Sequence, residues 1–159
     1  MKIKLLPLSL IPSAMLVAAA MIATQPAARS ADDEKLVTIV ANDALKFDVT
    51  EIDASPGEKI HVQLRNEGTM PKAGMGHNWI LLDSEAEANN YAMLAIPARD
   101  AGYEPKSQAS HVLASIPLLG PKEVGDVTFS APTKPGRYPY ICSCSGHSLA
   151  GMKGVLIVK

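Results

Sequence analysis

The chain has 159 residues, is 47% hydrophobic and 19% charged, and carries a formal net charge of −1, values that exclude a disordered chain. A basic nucleic-acid-coating surface is excluded as well, since acidic side chains slightly outnumber basic ones. The chain starts with Lys2 and Lys4, is mostly apolar over residues 5–22 and then carries small residues around Ala27 to Ala31, which is the layout of a secretory signal.

Residues 1–30 are therefore expected to be a signal peptide cut after Ser30, leaving 31–159 as one exported domain. Pro7 and Pro12 interrupt the apolar run, and Gln25 and Pro26 close it, which argues against a retained membrane anchor. Cleavage removes Lys2, Lys4 and Arg29 and leaves 12 basic against 16 acidic side chains. The expected location is a bacterial periplasm, with no nucleic-acid partner and no stable membrane insertion.

From Lys35 onward, short apolar or alternating runs are separated by Gly, Pro, Asn and Asp every 8 to 15 residues, the rhythm of an all-β sandwich or barrel. Strands are predicted over 36–41, 60–64, 77–82, 124–129, 137–141 and 154–158. In the second of these, Ile60, Val62 and Leu64 alternate with His61 and Gln63 after the turn Ser55-Pro56-Gly57, so His61 is expected on the watered face. One short helix is predicted over 84–94, where Ser84 can cap, Glu85 and Glu87 occupy the first turn, and Ala88, Tyr91, Leu94 and Ala95 share a face. Residues 97–108, with Pro97, Gly102 and Pro105, are expected to form a surface flap without regular structure. The fold class expected is an all-β Greek-key sandwich or barrel with one short helix.

Two cysteines are present, Cys142 and Cys144. A bridge between them would close a tiny, strained loop and remove little chain entropy. Thiols retained in an oxidising compartment point instead to metal ligation. The same loop carries His147 and Met152, so thiolate, imidazole and thioether recur at intervals of five. His77, inside Met75-Gly76-His77-Asn78-Trp79, is the candidate for a second imidazole. A trigonal thiolate and two imidazoles with a weak axial thioether suit copper in either oxidation state.

These segments resemble the azurin type of cupredoxin, the small blue-copper electron carriers. Met70-Pro71-Lys72 through Leu81 resembles the segment bearing the first histidine ligand, Leu118-Leu119-Gly120 through Phe129 resembles the strand before the copper loop, and Gly146-His147 with Met152-Lys153-Gly154 resembles that loop. The resemblance implies a type 1 copper site with ligands His77, Cys142 and His147, axial Met152 and a weak contact from the Gly76 carbonyl. It also implies that Asn78 ties the two ligand segments together and donates its backbone N–H to the cysteine sulfur. Electron donors and acceptors such as cytochromes or copper and haem oxidoreductases would dock transiently on an apolar patch around an exposed edge of His147, formed by Met70, Ala73, Met75, Leu149 and Ala150. The five-and-five ligand spacing is similar to that of auracyanins. Ser143-Cys144-Ser145 stands where azurins commonly have an aromatic residue and a proline, and the chain lacks cysteines for the azurin disulfide.

Two alternatives belong beside this reading. Cys144-x-x-His147 fits a plastocyanin-like spacing, so Cys144 competes with Cys142 for the ligand role. Cys142 is preferred because it directly follows the apolar strand end Tyr140-Ile141. A Cu(I) chaperone or storage module using Cys142, Cys144 and the methionines is the rival function. His61 and His111 are expected to stay off the metal, and no carboxylate pair or serine triad suggests an enzyme.

Overall fold

The computed structural model describes residues 34–159, so the expected signal peptide at 1–30 lies outside the described residues. Among the described residues, nine strands form two sheets. The first sheet has the order β2 (Lys46–Phe47), β1 (Lys35–Asn42), β4 (Lys59–Asn66), β7 (Val124–Ser130). The second has the order β3 (Glu51–Ala54), β9 (Lys153–Val158), β8 (Gly136–Ile141), β5 (His77–Leu82), β6 (Val112–Leu119). Pairing is antiparallel except for β1 with β4 and β3 with β9. Among the described residues no strand pair joins the two sheets, so the architecture is a mixed-sheet sandwich and not a closed barrel.

The six predicted strands are present, with edges moved by one or two residues. On β4 the alternation does what period two requires: Ile60, Val62 and Leu64 are fully buried while Lys59 and Arg65 are exposed. Each such aliphatic side chain contributes on the order of 1.5–3 kcal/mol by leaving water. His61 lies on the outward face, half-buried between Glu34 and Asp126, whose carboxylates approach its two ring nitrogens at 3.3 and 3.5 Å. β5 differs, because all six of its residues are buried. It runs between β6 and β8 and is covered by α2 (Glu85–Ala95), so neither face meets water.

α2 begins as its sequence dictates. Ser84 Oγ accepts from the Glu87 N–H at 3.4 Å, and Glu85 and Glu87 place negative charge at the positive helix end. Ala88, Tyr91, Ala92 and Ala95 are its buried face. The expectation of a single helix is corrected by the structure. A short turn of helix, α1 (Lys72–Met75), precedes β5, and the flap is largely 3₁₀ helix, over Ile96–Ala101 and Lys106–His111. The residues that argued against regular structure punctuate it instead. Pro97 occupies the first turn, Gly102 ends that helix at φ 67°, and Pro105 precedes the next one.

Candidate metal centre

The site sits where the N-terminal end of β5 meets the loop joining β8 to β9. His77 is the first residue of β5 and is fully buried. The glycine before it is needed for close approach, since a Cβ on Gly76 would lie 2.7 Å from the Lys72 carbonyl oxygen and 3.0 Å from Leu118. Cys142 follows the last residue of β8. The loop then folds on itself: Cys142 N–H donates to the Met152 carbonyl and Met152 N–H to the His147 carbonyl, both at 3.0 Å, while Ser148 N–H donates to the Cys142 carbonyl at 3.1 Å. Ser145 at φ 38° and Gly146 at φ 83° reverse the chain between the two ligand candidates. These turns hold Cys142, His147 and Met152 in one compact loop.

The donor atoms converge. Cys142 Sγ lies 3.5 Å from His147 Nδ1 and 3.9 Å from His77 Nδ1, and the three candidate ligand atoms lie within 4.8 Å of one another. Metal–sulfur and metal–nitrogen bonds of about 2.3 and 2.0–2.1 Å at trigonal angles separate neighbouring donors by about 3.8 Å, so both sulfur–nitrogen distances suit a single ion. Met152 is fully buried in the core beneath the loop.

Electrostatics prepare the same three groups. Burial, helped by the His147 ring, pushes the His77 pKa down to about 4, against weaker opposing effects of the Asp43 carboxylate and the Asn42 carbonyl. Burial also lowers His147, opposed by the Gly74 carbonyl. Both imidazoles are therefore neutral and available as donors. The Cys142 thiol is pushed up to about 12 by burial, although the backbone N–H groups of Asn78 and Cys144 bond its sulfur and favour the thiolate. A cation entering the site would have to displace that proton, and the two N–H donors are already in place to stabilise the sulfur charge. His77 Nε2 has no hydrogen-bond partner of normal geometry.

Cys144 does not join the cluster. It is buried, two residues along, with its thiol beside the Tyr103 side chain of the flap; burial pushes its pKa up to about 11, against the pull of that contact and of Arg99. Among the described residues the cluster is His77, Cys142 and His147. His61 and His111 are engaged with carboxylates instead. A cavity of about 580 Å³ lined by Tyr91, Glu104 and Lys106 lies apart from the donors, and the chemistry belongs to the donors.

Two expectations are refined. Asn78 ties the ligand segments through a pair of 2.8 Å bonds, its Oδ1 accepting from Ser143 N–H and its Nδ2 donating to Ser143 Oγ. His147, expected to expose an edge, is only 4% exposed, because the α1 turn brings the Gly74 carbonyl against its ring. Of the residues expected to form the docking patch, Met70, Ala73, Leu149 and Ala150 are exposed and Met75 is half-buried. The part played by Gly74, by Asn42 and by Tyr103 carries no signal in local sequence, since each acts across a long stretch of chain.

Comparison with known proteins agrees with this geometry. Residues 34–159 match the family of copper binding proteins, plastocyanin/azurin family. Auracyanin-A of Chloroflexus aurantiacus is 36% identical over 116 residues, covering 72% of this chain and 68% of that one. Auracyanin-B of the same organism is 38% identical over 121 residues, covering 74% of this chain and 49% of that one. Azurin of Pseudomonas fluorescens biotype C is 33% identical over 127 residues, covering 77% of this chain and 97% of the azurin. Among solved structures, dithionite-reduced auracyanin from Roseiflexus castenholzii aligns with a TM-score of 0.70 at 28% identity, over 79% of this chain and 97% of its own. Auracyanin A, described as a blue copper protein, aligns at 0.69 and 35% identity, over 80% of this chain and all of its own. A match over residues 34–159, with thiol and imidazoles gathered at one end of the sandwich, places the chain in the plastocyanin/azurin family of copper-binding proteins.

Proposed function

We propose that the protein is an exported type 1 copper protein that carries single electrons between redox partners, with His77, Cys142 and His147 as the copper ligands. The observation that carries this reading is the convergence of one thiol and two neutral imidazoles in a buried, pre-formed cluster. Met152 and the Gly76 carbonyl would add weaker contacts to the same ion. Copper would supply the Cu(II)/Cu(I) couple.

The chain's own residues do the rest. β5 and the self-bonded loop fix the donors before any ion arrives, so little has to move when an electron does. Asn78 locks the two ligand segments, and two backbone N–H groups temper the sulfur charge. The shell of buried apolar residues keeps water from the donors. His147 would pass the electron to the surface through the thin cover of the α1 turn, and the exposed Met70, Ala73, Leu149 and Ala150 would dock cytochromes or copper and haem oxidoreductases weakly and transiently. The protein is a carrier and not an enzyme, in keeping with its azurin and auracyanin relatives.

Removal of residues 1–30 and a periplasmic location complete the proposal; no helix among the described residues is long and apolar enough to cross a membrane. The chaperone alternative loses its second thiol, because Cys144 faces the flap. Stoichiometric Cu(II) added to the exported form should give an intense thiolate-to-copper absorption band, narrow copper hyperfine splitting and a reversible one-electron wave with copper retained in both states. Oxidation of the thiols without a band would defeat the reading.

A further inference from the structure

We propose that Tyr103 is a positioning residue for the ligand loop: its buried side chain, through the hydroxyl, and its backbone carbonyl hold Ser143 and Cys144 so that backbone N–H groups stay aimed at the Cys142 sulfur. The proposal rests on the copper reading above and concerns a residue of the flap, about forty positions away in sequence from the loop it steadies.

The backbone gives the first indication. Tyr103 has φ 64°, directly after Gly102 at φ 67°. A left-handed conformation costs a bulky residue about 1–2 kcal/mol and persists where surrounding contacts over-determine it. Those contacts are present. The Tyr103 side chain is buried, 4% exposed. Its carbonyl accepts from Ser143 Oγ at 2.7 Å, and the Gly102 carbonyl faces Asn78 Nδ2 at 3.5 Å. Its hydroxyl meets the Cys144 thiol.

What Tyr103 holds is what faces the sulfur. Cys144 presents its backbone N–H to Cys142 Sγ and its side chain to Tyr103. Ser143 is gripped by Tyr103 on one side and by Asn78 on the other, and Asn78 supplies the second N–H to the same sulfur. Flap, β5 and loop therefore meet in one network with Tyr103 as its flap-side member. The loop sequence Ser143-Cys144-Ser145 has neither an aromatic ring nor a proline of its own, and Tyr103 brings the ring from elsewhere in the chain. Cys144, the thiol outside the cluster, is the small buried partner that meets the Tyr103 side chain. Since hydrogen bonding around a cysteine sulfur tunes a copper couple, loosening Tyr103 should register at the metal.

The test uses the exported chain with and without copper. Tyr103→Phe deletes only the hydroxyl and keeps the ring, so the metal-free protein should melt within a few degrees of wild type. Its Cys144 amide should nonetheless exchange with deuterium at least about threefold faster, the size of one weakened hydrogen bond. With copper bound, the thiolate-to-copper band should shift, and the Cu(II)/Cu(I) ratio at a fixed applied potential should rise about threefold as the sulfur loses hydrogen-bond support. Cys144→Ala should reproduce these changes, and the double variant should add nothing to either single one. Tyr138→Phe is the control, because the Tyr138 hydroxyl donates to the Lys134 carbonyl at 2.7 Å and should change none of the readouts. Wild-type exchange, band and ratio in both Tyr103→Phe and Ser143→Ala, which removes the hydroxyl that donates to the Tyr103 carbonyl, would overturn the proposal. A wild-type protein that never forms the band would overturn the copper reading instead, and exchange at Cys144 in the metal-free chain would still decide for or against Tyr103.

Discussion

The candidate metal centre is built from two unlike halves. β5 brings His77 on a strand buried along its whole length and hydrogen-bonded on both sides. The loop brings Cys142, His147 and Met152 on a segment with no sheet partners between β8 and β9, held by its own turns and by side chains reaching in from Asn78 and Tyr103. The strand half is rigid because the core of the domain makes it so. The loop half is rigid through a small number of polar contacts, each of which can be removed singly. Substitutions in the first half should cost stability and site together, whereas substitutions in the second should alter the site in a domain that stays folded.

The largest effect expected is the loss of the thiolate itself. Cys142→Ser should abolish the visible band completely while leaving the metal-free fold intact, since a hydroxyl replaces a thiol of similar shape in the loop half. Cys144→Ser should keep the band, because a serine hydroxyl can still meet Tyr103 and the sulfur 3.5 Å from His147 remains. Absorption spectra of the two variants decide between the thiols, and the reverse pattern would exchange their roles.

The rigid half is broken at Trp79. Its ring is fully buried, 5.4 Å from Tyr140 and 6.0 Å from Phe129 by ring centroids. Trp79→Ala should cost about 3–5 kcal/mol, the usual price of a large aromatic cavity, read as a lower urea midpoint of the metal-free protein with an unchanged slope. A loss under about 1 kcal/mol would mean that β5 is not the anchor of the centre.

The two halves were also unequally legible in the sequence. β4 and β5 announce themselves by alternation and by an unbroken apolar run, and the ligand types in the loop stand at telling intervals. β6 does not, since Ser115 and Pro117 interrupt the apolar run over Val112–Leu119. The structure puts β6 at a sheet edge with Pro117 exposed, where a missing N–H costs no ladder bond. β3 is equally hidden, with Ile52 its one large apolar residue. Within the site, the donor candidates could be read because candidacy depends on residue type, and the structure brings His77, Cys142 and His147 together. The burial of His147 and the grip of Tyr103 could not, because they depend on α1 and the flap folding over the loop, which no local pattern encodes.

A smaller effect should come from the joint between the halves. Asn78→Leu keeps the volume but leaves the buried Ser143 N–H and hydroxyl without their 2.8 Å partner, at a cost of about 1–3 kcal/mol. In contrast to Trp79→Ala, the copper-bound form should suffer more than this suggests, with a broadened hyperfine pattern and faster copper loss to a chelator. Chelator kinetics indistinguishable from wild type would show that the loop holds its shape without the joint.

The smallest effect tests the frame on which the flap is hung, remote from both halves. His111, at the foot of β6, places Nδ1 2.9 Å from Asp83 and Nε2 3.8 Å from Glu87, linking the end of the flap to the start of α2. The Asp83 hydrogen bond, aided by the charge of Glu87, raises the His111 pKa above its ordinary 6.5. The protonated form is therefore favoured in the folded state, and the stabilisation is fully present below pH 6.5 and fades as pH climbs through the folded value. The stability difference between wild type and His111→Gln should thus be largest in mildly acidic buffer and shrink towards alkaline pH, measured as urea midpoints across that range. The three side chains are each about a third exposed to solvent, so the difference should also diminish with added salt. A difference that grows with pH would reverse the sign of the linkage and show that the neutral ring is the form this corner of the fold prefers.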